Sequence, residues 1–462
     1  MNDLAVRAYC LAHKSAKLLL GRASHPRVSY GYAYSGADAS GIRQKAECAA
    51  AGGGRILLND VEAGASDARP LFYGENALTG VVGPMVGGLP PASDVKYDTP
   101  DEAWKGLINR SIVTPGWRNS DLHLVCFNKG SGQWCLSDWI WTSAAVARYL
   151  ASAGDVAGLV RVADAFLREQ LPEGPWVVRF DYTGGRVVPT VAPNDSCYMA
   201  VNALLPAWHA TGDERYLDAA RRCADWVVET AAPTGLVHLG YDRLARRWVT
   251  DRNIVDTGFT AALFSALWEG TGESRYRDFL ARFTAAYIGA FYDGGAGLFA
   301  TGLAGEGANA RRVGGHFARG QAWALEGLIP ALRVLGDASI RGVIERVVGR
   351  LVDLQGVDGG WAYNLSRPLM GQDCKGTPVI ARALAQWAAL EGDARAARAA
   401  ARALGWCGVH TDLSGPCAGG IFSFCLEGAV THYLYSSSAF VYASSYALET
   451  RGLLSEQRIC EC

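Results

Sequence analysis

The sequence predicts an all-α fold, an (α/α)6 toroid with a loop-rich N-terminal extension, on three observations. A glycine turn recurs: "ASAGD" at Gly154, "HATGD" at Gly212, "EGTGE" at Gly272, "RVLGD" at Gly336 and "ALEGD" at Gly392, with "ETRGL" adding Gly452. Their spacings of 58, 60, 64, 56 and 60 residues define a repeat with a period near sixty. Each turn follows an apolar segment, and most precede an amphipathic one. Finally, each apolar segment opens on a small set of polar or aromatic residues.

The apolar segments are "DWIWTSAAVARYLA", "CYMAVNALLPAWHA", "TGFTAALFSALWE", "RGQAWALEGLIPALRV", "TPVIARALAQWAAL" and "SSAFVYASSYALE". Apolar on nearly all sides, they predict buried inner helices starting near residues 138, 196, 257, 319, 377 and 437. "ERYLDAARRCADWVVET" spaces its apolar residues at helical period with arginines and acids between, and predicts an outer, surface helix. Glycine followed by Asp or Glu reads as a C-cap and then the acidic start of the next helix. Six such hairpins, the ring completed by an N-terminal helix, close on themselves; an open solenoid of the same period is the alternative. The inner helices' N-terminal ends then share one rim around a central mouth. Residues 21–115 show no persistent helical period and read as an extended Gly/Ala-rich segment lying on the toroid. The expected division is 1–115 for the N-terminal helix and extension, 116–455 for the toroid, and 456–462 for a mobile tail.

Half of the 462 residues are hydrophobic and 19% are charged, which permits a large core. Lys and Arg number 44 against 45 Asp and Glu, with no basic tract, which argues against nucleic acid or an anionic membrane as partner. No stretch is apolar enough to span a bilayer, and the N-terminus lacks a secretory pattern. A cytoplasmic protein is the expectation. The twelve cysteines form no CxxC pair. Cys197 and Cys223 fall in helical patterns as small core hydrophobes, and Cys460 and Cys462 form a lone CxC. Reduced thiols and no metal site follow.

The rim candidates are Asp138 with Trp139 and Trp141 in "LSDWIW", Asp195 in "APNDSCY" and Asp256 in "NIVDTGF". His316, Arg319, Gln321 and Trp323 come from "HFARGQAW", Asp373 and Lys375 from "GQDCKGTP", and His432, Tyr433 and Tyr435 from "HYLYSSS". For any one aspartate, helix N-capping is an equal explanation. Together, acids, cations and tryptophans on one rim suit a sugar that bears a carboxylate: the ring stacks on tryptophan and arginine holds the acid. Arg319 and Trp323 stand four apart, on one helix face; a structural cation–π pair is the competing reading.

"RGQAW" opening an inner helix resembles the unsaturated glucuronyl hydrolases and unsaturated rhamnogalacturonyl hydrolases, glycoside hydrolase families 88 and 105, which are (α/α)6 enzymes. "NIVDTGFTAALFSALWEGTGESRY" is similar to their helix that opens on the catalytic aspartate. "PNDSCYMAVNALLPAWHATGD" is similar to the preceding helix with a second essential aspartate, and "DCKGTPVIARAL" to a later one. The resemblance covers roughly residues 130–452. It departs from the family at Lys375, where a small residue is expected, and in residues 1–115, which have no counterpart.

The resemblance implies Asp256 as general acid/base, Asp195 as its partner, and Arg319 and Trp323 as the uronate site. It implies acid-catalysed hydration of the C4=C5 enol ether of an unsaturated uronyl group, which releases the adjoining sugar. No metal or organic cofactor enters. A uronyl epimerase or inverting glycosidase on the same toroid is the alternative. Further off stand an isoprenoid-type toroid, raised by "DGGWAYNLSRP", and a non-catalytic binding scaffold.

Overall fold

The computed structural model describes residues 95–456 except 113–120, 129–132, 135–140, 182–185, 243–245, 306, 369–370 and 424–437, together with the backbone of four short strands within 55–77. Those four strands pair as two antiparallel hairpins.

Twelve helices, counted among the described residues, alternate between an outer and an inner layer. The outer ones are α1 (Pro100–Arg110), α3 (Val156–Glu169), α5 (Glu214–Thr230), α7 (Ser274–Phe291), α9 (Ala338–Asp353) and α11 (Ala394–Val409). The inner ones are α2 (Trp141–Ser152), α4 (Pro193–Met199 continuing to Thr211), α6 (Thr260–Thr271), α8 (Ala318–Leu335), α10 (Gly376–Glu391) and α12 (Val441–Glu456). Each inner helix packs on the next, and α12 packs on α2, so the ring is closed rather than an open solenoid. A seam strand joins its ends: Ser438–Phe440 pairs antiparallel with Cys126–Asn128, just before α12.

Gly154, Gly212, Gly272, Gly336 and Gly392 all adopt left-handed backbone, φ 66° to 73°, at the C-terminal ends of inner helices. Without a Cβ this conformation carries no steric penalty. An acid follows each, and Asp155, Asp213, Asp337 and Asp393 cap the next helix through their side chains. Gly452 is different. It lies inside α12, so the sixth turn expected there does not exist.

The helix that completes the outer layer is α1, inside the stretch read as extended. Thr99 and Glu102 form a reciprocal capping box, Pro100 occupies the first turn, and Trp104, Leu107 and Ile108 are buried on one face. At eleven residues α1 offers too few turns for the period to stand out among the surrounding glycines and alanines. It packs against α12.

The "DGGW" segment is a loop device of the repeat, not an isoprenoid signature. Gly359 turns the chain at φ 100°, and the Trp361 indole donates to the Leu351 carbonyl at 2.8 Å. Gly174 and Trp176 do the same three hairpins earlier, with Trp176 donating to Phe166 at 2.8 Å. Six cysteines, Cys197 and Cys223 among them, are buried among the described residues. No described helix is long and apolar enough to cross a membrane.

Candidate active site

The short glycine turns occupy one end of the barrel and the long loops the other, so the inner-helix N-termini surround a mouth. Asp195 lies in the first turn of α4 and Asp256 in a 3-10 turn, Val255–Phe259, that leads into α6. Ala192 and Ile254 occupy the N-cap positions, so neither aspartate is the cap residue. Arg319 is the second residue of α8.

Three aromatics one turn deeper fix the lateral order of these groups. Tyr198 is three residues beyond Asp195, Phe259 three beyond Asp256, and Trp323 four beyond Arg319. Tyr198 meets Phe259 at 4.5 Å between ring centres, and Phe259 meets Trp323 at 5.6 Å. Asp195, Asp256 and Arg319 therefore stand in that order on adjoining segments above a continuous aromatic row. The row closes through Trp141, 6.4 Å from Tyr198 and 4.8 Å from Tyr442, while Tyr442 accepts a 2.6 Å hydrogen bond from Arg319 Nη1.

Glycines bring the 3-10 turn against α8. A Cβ on Gly320 would strike Val255, one on Gly327 would strike the Gly258 carbonyl, and one on Gly258 would lie 2.7 Å from the Tyr287 hydroxyl. Larger residues would push Asp256 away from Arg319. Tyr287 donates to the Val255 carbonyl at 2.6 Å. Its pKa is raised, first by burial and then by the nearby Asp256 carboxylate. Asn194 Nδ2 donates to Asp195 Oδ1 at 3.1 Å.

Arg319 is 5% exposed, with its guanidinium carbon 4.7 Å from the Phe317 ring centre and 5.2 Å from that of Trp323. Its Nε faces Asp373 Oδ2 at 3.3 Å. Asp373 is fully buried, and its Oδ1 also accepts the Lys375 backbone N–H at 3.0 Å. Lys375 is buried too, its Nζ 4.6 Å from the Phe440 ring centre. Asp373 thus holds the arginine in place from behind.

Two other rim candidates are tied down. Gln321 is fully buried; its amide accepts from Phe299 N at 2.7 Å and donates to the carbonyls of Phe299 and Phe317. It clamps a loop to α8 rather than facing the mouth. His316 joins Ser366 through Nδ1 at 2.6 Å and Asp293 through Nε2 at 3.3 Å. Trp141 stays half-buried at the rim. Asp138, Trp139, His432, Tyr433, Tyr435, Cys460 and Cys462 lie outside the described residues.

A second polar layer, unforeseen from the sequence, lies two turns below the first. Seven residues on from Trp141, Asp195, Arg319, Lys375 and Tyr442 come Arg148, Asn202, Glu326, Arg382 and Glu449. Arg148 and Arg382 share Glu449 Oε2 at 2.7 and 2.6 Å and contact Glu326 at 3.3 and 3.5 Å. Tyr446 donates to Glu326 at 3.1 Å and its hydroxyl lies 2.8 Å from that of Tyr198. Burial alone would lower the Arg148 pKa, but Glu449 and its neighbours raise it well above the usual value. This ring of alternating charge floors the aromatic row. A cavity of about 160 Å³ runs past both layers: Tyr198 and Phe259 of the row, Arg148, Glu326 and Arg382 of the ring, and Gln386 all line it. The signal was the seven-residue interval itself, which repeats one helix face after two turns.

Solved structures share this architecture. An unsaturated glucuronyl hydrolase from Bacillus sp. GL1, responsible for the degradation of glycosaminoglycan, aligns over 78% of this chain and 95% of its own, with TM-score 0.59 and 18% identity. An unsaturated glucuronyl hydrolase specific for heparin gives TM-score 0.60 at 15% identity, over 78% and 96% of the two chains. A sugar epimerase from a ruminal bacterium gives 0.61 at 13%, over 78% and 96%. No curated protein sequence matches the chain. At these identities the neighbours establish the fold alone; the family follows from the sequence pattern of Glycosyl Hydrolase Family 88, which matches residues 175–447. That span takes in Asp195, Asp256, Arg319 and Asp373 and more than half of the chain, and the chain belongs to glycosyl hydrolase family 88.

Proposed function

We propose that this glycoside hydrolase hydrates the C4=C5 double bond of an unsaturated uronyl group at the non-reducing end of an oligosaccharide, and so releases the adjoining sugar. The observation that carries the reading is the order Asp195, Asp256, Arg319 above Tyr198, Phe259 and Trp323. That order supports the reading because two acids precede, on adjoining segments, a cation held by a buried carboxylate, with Trp323 one turn below it to take a sugar ring.

Arg319 binds the uronate carboxylate and Trp323 takes the ring face. Asp256, as the acid, gives its proton to C4, and the electron pair of the double bond forms the new C–H bond. The cation left at C5 is shared with the ring oxygen. Water adds to C5 and returns a proton to the Asp256 carboxylate. The hemiketal opens to a ketone, C1 becomes a hemiacetal, and its collapse expels the next sugar as an alcohol. Asp195 stabilises the developing cation and keeps Asp256 protonated at the start of the cycle. Because the bond hydrated is C4=C5, the carboxylate-separation rule for displacement at the anomeric carbon does not apply.

The ultraviolet absorbance of the conjugated uronate is the assay. Incubation with unsaturated disaccharides from glycosaminoglycans, pectins and bacterial exopolysaccharides is expected to bleach at least one of them. A panel left unbleached, with sugar stereochemistry altered instead, would replace this reading by an epimerase.

A further inference from the structure

Three short strands beside the mouth carry charge that the reading above does not use. Strand β1 (Arg252–Ile254) pairs antiparallel with β2 (Gly302–Ala304), which pairs antiparallel with β3 (Arg311–Val313). The sheet is rooted in the site: Val255 N donates to Thr301 O at 3.0 Å, and Thr301 N to Gly315 O at 2.8 Å. Those bonds fix its base next to Asp256 and His316.

Its two faces differ. The middle row, Asn253, Leu303 and Arg312, faces the protein: Leu303 is buried, Asn253 donates to the Val237 carbonyl at 2.8 Å, and Arg312 donates to Ala290 and Gly289 carbonyls at the end of α7. Side chains alternate along a strand, so the rows on either side present the opposite face. The row nearer the mouth is Ile254, Gly302 and Val313, a small apolar platform. The outer row is Arg252, Ala304 and Arg311. Both arginines are exposed, with no ion pair among the described residues. They flank Ala304 at two strand spacings, about 10 Å apart, and Arg252 is at most about 13 Å along the chain from Asp256. Asp251, by alternation, points to the other face. Exposed Arg246 and Arg247 precede the sheet, and residues 246–254 with 302–313 hold five arginines against Asp251 and Glu306.

We infer that this sheet is a docking strip for anionic groups on the sugars that adjoin the uronate, so that the preferred substrate carries sulfate or carboxylate beyond its terminal acid. The inference rests on the hydrolase reading for what occupies the mouth. Its chemistry is separate: a guanidinium offers paired donors to two oxygens of a sulfate or carboxylate, and the apolar row supports the sugar between the site and the charges. The same composition hides in a chain of net charge −1 because the arginines come from two loops, joined only by strand pairing.

The test compares the wild type, the double variant Arg252→Ser/Arg311→Ser, and the control Arg282→Ser on outer helix α7. Unsaturated disaccharides with zero, one or two sulfates on the adjoining sugar are the substrates. A saturated heparin hexasaccharide, titrated calorimetrically at low and high salt, is the binding probe. The wild type is expected to favour the sulfated substrates in KM by roughly three- to tenfold, the scale of two exposed ion pairs, with the gain weakening in salt. The double variant loses that ratio and Arg282→Ser keeps it. A wild type indifferent to sulfate, or a double variant that keeps the ratio, overturns the strip. Should no unsaturated substrate react, the hydrolase reading fails, and the hexasaccharide decides alone: arginine-dependent binding upholds the strip and arginine-independent or absent binding rejects it.

Discussion

Arg319 and Asp373 form a buried ion pair, Nε to Oδ2 at 3.3 Å, at the N-terminal ends of neighbouring inner helices. The cation is thereby held from behind, while Tyr442 fixes one terminal nitrogen. Asp373→Asn preserves shape and removes the charge. It is expected to destabilise the fold by about 3 kcal/mol, because it leaves a buried cation without its carboxylate. KM for a uronate is expected to rise more than KM for a neutral analogue. Urea denaturation and the two KM values check this; an unchanged KM ratio would mean that Asp373 only stabilises.

Arg319→Ala removes a charge-assisted contact and is expected to weaken a uronate about tenfold or more relative to a neutral analogue. Trp323→Ala is expected to weaken both alike, since stacking does not sense the acid. Calorimetric titration of both ligands separates the cases. Loss of folding in both variants without a selective change in binding would leave Arg319 and Trp323 as a structural cation–π pair.

Asp256→Asn keeps nearly the same volume where the 3-10 turn meets α8, so the melting temperature is expected to stay close to that of the wild type. Turnover is expected to fall by about 10²–10⁴-fold, the usual contribution of a general acid/base. Near-normal turnover on a good substrate would remove Asp256 from the mechanism.

The lower ring yields a stability prediction. Glu449 Oε2 receives both Arg148 and Arg382. Glu449→Gln would leave two buried arginines facing each other with Glu326 alone, at a cost of about 3–5 kcal/mol in urea denaturation. A change below about 1 kcal/mol would show the ring to be energetically slack.

His123 supplies a pH dependence. It is buried, its Nδ1 lies 2.9 Å from the Ser111 hydroxyl, and burial lowers its pKa to about 4. The unfolded chain binds a proton near pH 6.5 and the native state near 4. Stability from this residue is therefore fully present above about pH 6.5 and declines as pH falls toward 4, by roughly 3 kcal/mol in all. His123→Gln is expected to flatten the thermal stability profile over that window; an unchanged slope would assign it to other groups.

The helix pairs were legible because glycine at a helix C-terminus, an acid after it and an apolar run before it are local signals repeated five times. Gly452 carried part of that pattern inside a continuous helix, since a glycine alone does not end one. Asp195, Asp256 and Arg319 were legible through their place in the repeat. The Arg148–Glu326–Arg382–Glu449 ring was not, because each member reads singly as one polar residue in an apolar helix. Only ring closure brings the four together. The Arg252–Arg311 pair escaped for a related reason: its partners lie about sixty residues apart, and strand register joins them.

In the proposed reaction Asp256 delivers a proton to C4 of an unsaturated uronate. Turnover in deuterium oxide, followed by NMR of the released uronate product, tests it most directly. One solvent deuterium at C4 is expected at early times, before keto–enol exchange at that carbon adds a second, with the double bond lost. Release of the adjoining sugar with the double bond intact and no deuterium at C4 would contradict it.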